Sequence, residues 1–163
     1  MQVKSYCSSP VGWFEITGSE FGVCSVKRCK HPGPPADLPA DHPVFACRLQ
    51  LEEYFTGERR SFDVKLDWSG RPEFQQAVWE VLLTIPFGET LAYSDIANRI
   101  GQPKAVRAVG LANRNNPIAI VVPCHRVIGK AGELRGYFLG PDTKMALLRH
   151  ENPVRFAEQG SLF

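Results

Sequence analysis

The run Pro123-Cys124-His125-Arg126-Val127 sets a thiol, an imidazole and a guanidinium side by side. The thiolate is the nucleophilic form of cysteine, and a neighbouring imidazole can draw off the thiol proton. Pro123 removes a backbone donor and fixes φ, which sets Cys124 at a rigid corner. The preceding apolar run, Ile118-Ala119-Ile120-Val121-Val122, is rich in β-branched residues and reads as a buried segment that carries the pair to its end. Neighbours on a regular strand point to opposite faces. Proton transfer from Cys124 to His125 therefore requires a turn or a bridging water. For the pair taken alone, the competing reading is a buried structural cysteine beside a surface histidine.

Elements on both sides must position this corner. Val11–Thr17 and Phe21–Arg28 alternate apolar and polar residues around Gly18-Ser19-Glu20, a β-hairpin pattern. Five prolines within His31–Pro43 predict a stiff loop. Val44, Cys47, Leu51, Tyr54 and Phe55 recur at helical spacing, and Gly57 stops that helix. Ser61–Trp68 alternates again and predicts a third strand. Ser69-Gly70-Arg71-Pro72 is the best candidate boundary, dividing an N-terminal α/β support domain (residues 1–70) from a mostly helical domain (residues 71–163). In the second part, Phe74 through Ile85 mark one helix face that ends at Pro86. Ser94 is a candidate N-cap for a short helix through Ile100, with Gly101 after it. Pro103 then opens a helix running to about Arg114. Two short helices joined across Gly101-Gln102 make a helix-turn-helix pattern. The fold class expected is thus α/β (α+β). Ala105, Ala108 and Ala112 form a stripe of little volume on the second helix. By itself such a stripe reads as a close helix–helix contact.

The 163 residues suffice for a sizeable core, and 44% hydrophobic with 22% charged residues is ordinary for a globular protein. No apolar stretch approaches a membrane span, and Met1–Tyr6 lacks the apolar core of a signal peptide. A cytoplasmic location is expected, or a nuclear one in a eukaryote. Five cysteines without framework spacing suit a reducing compartment. Cys24, Cys29 and His31 invite a zinc reading, but a zinc site needs four N or S ligands at compatible spacing. No metal is expected. Net charge is only +2, yet its distribution is uneven. Residues 1–70 hold 8 basic and 9 acidic side chains, and residues 71–163 hold 11 and 8. Between Asp95 and Glu133 there is no acid, while Arg99, Lys104, Arg107, Arg114, Arg126 and Lys130 fall inside. Such a stretch is the electrostatic footprint expected for a phosphate backbone.

Asn116-Pro117, the apolar run, Pro123–Gly129, Gly136-Tyr137 and Leu147-Leu148-Arg149-His150-Glu151 resemble the O6-alkylguanine-DNA alkyltransferases, or methylated-DNA–protein-cysteine methyltransferases. The resemblance continues upstream through Ile85–Thr90, Tyr93 and Arg107-Ala108-Val109-Gly110. It is close over residues 72–151 and looser before. It implies a repair protein that flips O6-alkylguanine, chiefly O6-methylguanine, out of duplex DNA and moves the alkyl group irreversibly onto Cys124. Glu151 would orient His125, and His125 would take the thiol proton through a water. Tyr93 matches the tyrosine that donates to guanine N3. The carbonyls of Cys124 and Val127 match acceptors for the exocyclic amine, and Asn116 matches an asparagine holding the turn before the active-site segment. Tyr137, Phe138, Leu139 and Ala119 would border the alkyl pocket. Phe138 and Leu139 stand where many relatives have small residues, and Ala119 where some have proline. The small-residue helix would enter the minor groove through Ala105, Ala108 and Gly110. Arg107 would replace the extruded nucleotide, with Ser94, Lys104 and Arg114 also on the DNA. Double-stranded DNA is the partner implied, without cofactor, without membrane and with the protein as a monomer.

Three rivals differ in what they need. A non-catalytic helix-turn-helix or lesion-sensing protein would keep the groove-binding helix and dispense with Cys124. A transcription factor would read the major groove with longer polar side chains. A cysteine hydrolase would need a tetrahedral-intermediate site and turnover.

Overall fold

A computed structural model describes residues 1–134 and 136–157. The chain divides into two compact units: Met1–Gly70 with Pro117–Val121, and Arg71–Asn116 with the described residues from Val122 onward. The break after Gly70 falls at the Ser69–Pro72 stretch. The return of five residues to the first unit was not legible in the sequence.

The first unit is a three-stranded antiparallel sheet, β1 (Val3–Ser9), β2 (Gly12–Ser19) and β3 (Gly22–Cys29), in the order β1-β2-β3, covered by helix α1 (Pro43–Thr56). Alternation puts Cys7, Phe14 and Ile16 on the covered face, where they are buried with Val44, Cys47, Leu51 and Tyr54 of α1. Fully burying such a side chain contributes about 1.5–3 kcal/mol. The His42 ring accepts the Val44 N–H (3.1 Å), Pro43 opens α1, and Gly57 at φ 86° closes it. The third strand is therefore β1, at the N-terminus, and not Ser61–Trp68 as the alternation predicts. That segment makes one parallel bridge, Val23 to Leu66. Its Asp63 backbone is held instead by the Gln50 side chain, which donates to the carbonyl (3.0 Å) and accepts from the N–H (2.8 Å).

The second unit contains α2 (Glu73–Leu82), the short strand β4 (Leu91–Ala92), α3 (Tyr93–Arg99), α4 (Val106–Arg114), the short strand β5 (Val127–Ile128) and α5 (Pro141–Glu151). β4 pairs in parallel with β5, Leu91 with Val127 and Ala92 with Ile128. Because β4 runs straight into α3, the helix begins two residues earlier than Ser94 as N-cap would require. Ala92 is the N-cap, and the Asp95 carboxylate accepts its N–H at 2.8 Å. Ser94 lies inside the first turn. Pro103 does not open α4 either: residues 103–105 form a turn, and the helix starts at Val106. Trp79 of α2 donates its indole N–H to the Ala112 carbonyl (2.8 Å), fixing α2 against α4. This contact explains why the alanine stripe splits. Ala112 is buried with Val109 and Asn113, whereas Ala108 is exposed and Ala105 half-buried. No helix among the described residues is long and apolar enough to cross a membrane.

Candidate active site

The chain reaches Cys124 through two tight turns. Val121 donates its N–H to Ala119 O (2.8 Å) around Ile120, whose φ of 71° is rare for a β-branched residue and strained. Cys124 donates its N–H to Val122 O (2.8 Å) around Pro123 at φ −82°, ψ 64°, the inverse γ-turn geometry that proline's fixed φ favours. Cys124, His125 and Arg126 then form one 3-10 turn, so the apolar run does not continue as a strand into the site. The turn removes the strict strand alternation that would set Cys124 and His125 on opposite faces. All three side chains are buried.

His125 and Arg126 share one carboxylate. Glu151, the last residue of α5, places Oε2 2.7 Å from His125 Nε2 and Oε1 2.8 Å from Arg126 Nε. Arg126 adds a second bond to Oε2 (3.0 Å) and donates to the Ile85 carbonyl (2.6 Å). The remaining ring nitrogen, His125 Nδ1, has no hydrogen-bond partner among the described residues. Burial favours the neutral form of Glu151, but His125 and Arg126 outweigh it and hold the carboxyl well below its usual range. Burial also keeps His125 below its ordinary value despite Glu151, so at neutral pH it is an uncharged imidazole able to accept a proton. Arg126 is consequently an internal ion-pair member, not part of a phosphate-facing surface as the charge pattern suggested.

Cys124 is a thiol at rest, since burial pushes its pKa up to about 11. A hydrogen bond from Asn116 and the charge of Lys144 act in the opposite direction and favour the thiolate. Asn116 also donates to Val122 O (2.8 Å), bracing the turn just before the nucleophile. Lys144, on α5 and fully buried, was not singled out by the sequence reading. Its ammonium donates to the Val127 carbonyl and sits over the Tyr137 ring, 5.7 Å from the centroid. Burial lowers its pKa to about 8, with Cys124 pulling the other way. A signal was present: Lys144 precedes Glu151 by seven residues, two helical turns, so both lie on one face of α5.

The two carbonyls expected to receive the guanine amine already accept bonds. Cys124 O takes the Val127 N–H and Asn113 Nδ2 (3.3 Å), whereas Val127 O takes Lys144. Val127 O therefore keeps a lone pair that Cys124 O lacks. A cleft of about 490 Å³ is bordered by Tyr93, Gly110, Arg114, Gly129, Glu133 and Gly136. Gly110 and Gly136 leave room around Tyr93: a Cβ at either would touch its ring or hydroxyl, at 3.9 and 3.8 Å. Gly136 also holds φ 85°, which strains any other residue. Burial raises the Tyr93 pKa, and the charges of Cys124 and Glu133 raise it further, so its hydroxyl stays a proton donor. The Phe138 ring packs on the buried Tyr137 (5.3 Å between centroids), and Phe138 and Leu139 are half-buried. Ala119 is fully buried in the 117–121 segment, its N–H bonded to Val26 O (3.1 Å). Lys104, Arg107 and Arg114 are exposed at and along α4.

A buried cysteine beside a Glu151–His125 pair, in a unit that also carries two short helices joined by a turn, has the make-up of a thiol-dependent protein that works on nucleic acid. The comparisons agree with that class. Residues 73–153 match the family model described as 6-O-methylguanine DNA methyltransferase, DNA binding domain. Residues 2–68 match the model of the ribonuclease-like domain of 6-O-methylguanine DNA methyltransferase. A methylated-DNA–protein-cysteine methyltransferase of Methanosarcina acetivorans is 49% identical over 147 residues, covering 88% of this chain and 94% of that protein. One of Mycolicibacterium paratuberculosis is 60% identical over 146 residues, with 88% of each chain covered. Among solved structures, the O6-methylguanine methyltransferase of Mycobacterium tuberculosis superposes with a TM-score of 0.82 at 43% identity, over 94% of each chain. Mycobacterium tuberculosis OGT in complex with DNA gives 0.80 at 44% identity, over 91% of this chain and 92% of that one. The chain belongs to the methylated-DNA–protein-cysteine methyltransferase family.

Proposed function

We propose that this chain repairs O6-alkylguanine, chiefly O6-methylguanine, by extruding the nucleotide from duplex DNA and taking its alkyl group once, irreversibly, on Cys124. The observation that carries the reading is the buried Glu151–His125 pair next to Cys124, with His125 Nδ1 unpartnered among the described residues. Family membership supplies the substrate class. The O6 atom lies inside the base stack, so the nucleotide must leave it, at a few kcal/mol. A poorly paired lesion lowers that cost, and phosphate contacts from Lys104 and Arg114 offset more.

In the reaction, His125 Nδ1 receives the thiol proton through a bridging water. Glu151 stabilises the imidazolium that forms, and Arg126 keeps Glu151 ionised and oriented. The sulfur attacks the alkyl carbon, the carbon–O6 bond breaks, and its electron pair passes to the purine. Tyr93 donates to guanine N3 as that charge develops. Lys144 offsets the thiolate charge before attack and holds the Val127 carbonyl, whose free lone pair receives the exocyclic amine. The thioether product is a poor leaving group, so one molecule repairs one lesion. Entry of α4 through the minor groove is supported by its exposed Ala108 and by its exposed Lys104, Arg107 and Arg114, in a stretch of sequence without acidic residues.

Incubation with a duplex labelled on the O6-methyl group tests the reading. The label is expected on protein. Label retained on DNA would indicate a binding protein, and label released into solution would indicate a hydrolase.

A further inference from the structure

Helix α4 carries one large apolar side chain that its own fold does not use. Leu111 is 59% exposed, and among the described residues it is the one large hydrophobic of α4 left in solvent. It follows Arg107 by one helical turn, so the two side chains leave the same face. It also borders the cleft that contains Tyr93, Gly110 and Gly136. Basic residues flank it at Lys104, Arg107 and Arg114, and no acidic residue lies between positions 95 and 133. A leucine that serves only as helix surface gains nothing from solvent, where alanine is at least as good a helix former. An apolar side chain on a basic, groove-facing helix has a known physical use: it wedges beside a base step and shields the opened stack from water.

We propose that Leu111 is the apolar half of a two-residue wedge, packing on sugar and base edges beside the gap that Arg107 fills. This rests on the reading that α4 enters the minor groove and the nucleotide is extruded. Arg107 offers a flat, charged group to the vacated position, but it cannot exclude water from the neighbouring base step. Leu111 closes that side. Its burial occurs only on the opened duplex, so it favours the extruded state without touching the sulfur chemistry.

Single-turnover methyl transfer, measured on a duplex with one O6-methylguanine and on the free base O6-methylguanine, tests the wedge in four proteins: the unmodified chain, Leu111→Ala, Leu111→Met and Arg107→Ala. Leu111→Ala should slow the duplex reaction about tenfold, the order expected when most of a leucine's burial is forfeited. It should slow the free-base reaction far less than the duplex reaction and leave the melting temperature nearly unchanged, and Leu111→Met should recover most of the loss. An unchanged duplex rate in Leu111→Ala, with Arg107→Ala impaired, overturns the wedge and leaves extrusion standing. Equal losses on both substrates also overturn it, because Leu111 would then be a wall of the base pocket. If Arg107→Ala loses nothing on the duplex, the extrusion reading falls, and the wedge falls with it.

Discussion

Replacing Glu151 by glutamine keeps the shape of the relay and removes its charge. At 2.7 Å and an effective dielectric constant of 20, the attraction between an imidazolium and this carboxylate is about 6 kcal/mol. The amide retains a neutral hydrogen bond, so the loss when His125 takes up the thiol proton is about 4 kcal/mol, or roughly a thousandfold in rate. The same substitution strands Arg126, which is buried and bonded twice to Glu151. Breaking one side of a buried pair costs about 3–5 kcal/mol of stability, so the single variant can fail to fold for a reason unrelated to catalysis. Glu151→Gln combined with Arg126→Met separates the two effects, because the stranded charge is gone. The double variant should unfold in urea near the unmodified protein and still transfer methyl about a thousandfold more slowly at pH 7. Quenched-flow transfer from a labelled duplex, with protein in excess, reads the rate directly. A folded double variant within tenfold of the original rate would remove Glu151 from the proton relay.

The buried ammonium of Lys144, with its pKa lowered to about 8, should place an inflection near that pH in the rate profile. Lys144→Met should abolish the inflection and slow transfer at pH 7, whereas an unaltered profile would leave Lys144 a packing residue. Glu151 is depressed in the folded state, so the unfolded chain binds more protons below the ordinary carboxylate range. Stability should be full above about pH 4.5 and fall with decreasing pH; urea titrations should show a flatter acid limb in the Glu151→Gln/Arg126→Met protein. If Phe138 and Leu139 border the alkyl pocket, O6-benzylguanine should react poorly, since crowding its ring costs about 1–3 kcal/mol, a 5- to 150-fold penalty. Leu139→Gly, alone or with Phe138→Ser, should restore the reaction, and equal rates for benzyl and methyl substrates in the unmodified protein would refute the crowding.

The grouping of Cys124 and His125 with the distant Glu151 was legible because their residue types are rare together and their spacing resembles one family. The hairpin and α1 were legible from periodicity and from Gly57. Less visible was anything that depends on partners distant in sequence. Ser61–Trp68 alternates like a strand, but Gln50 occupies its backbone, and Val3–Ser9 takes the sheet position instead. Ala112 matched the small-residue stripe until Trp79 claimed its carbonyl from the inside. Arg126 counted as a surface cation because a one-dimensional charge pattern does not show the carboxylate of Glu151 beside it. Lys144 was overlooked for a related reason. A lysine inside a helix reads as solvated, and only the fold reveals a buried ammonium facing a thiol.

The central claim is that Cys124 is the acceptor and is consumed. Intact-protein and peptide mass spectrometry, after incubation with excess O6-methylguanine duplex, tests it most directly. A mass gain of one methyl group per chain is expected, confined to the Cys124 peptide, with repair ceasing when every chain carries it. Cys124→Ala should gain nothing while binding the duplex as before. Methylation at Cys7, Cys24, Cys29 or Cys47 in that variant, or repair that continues beyond one lesion per protein, would contradict the account.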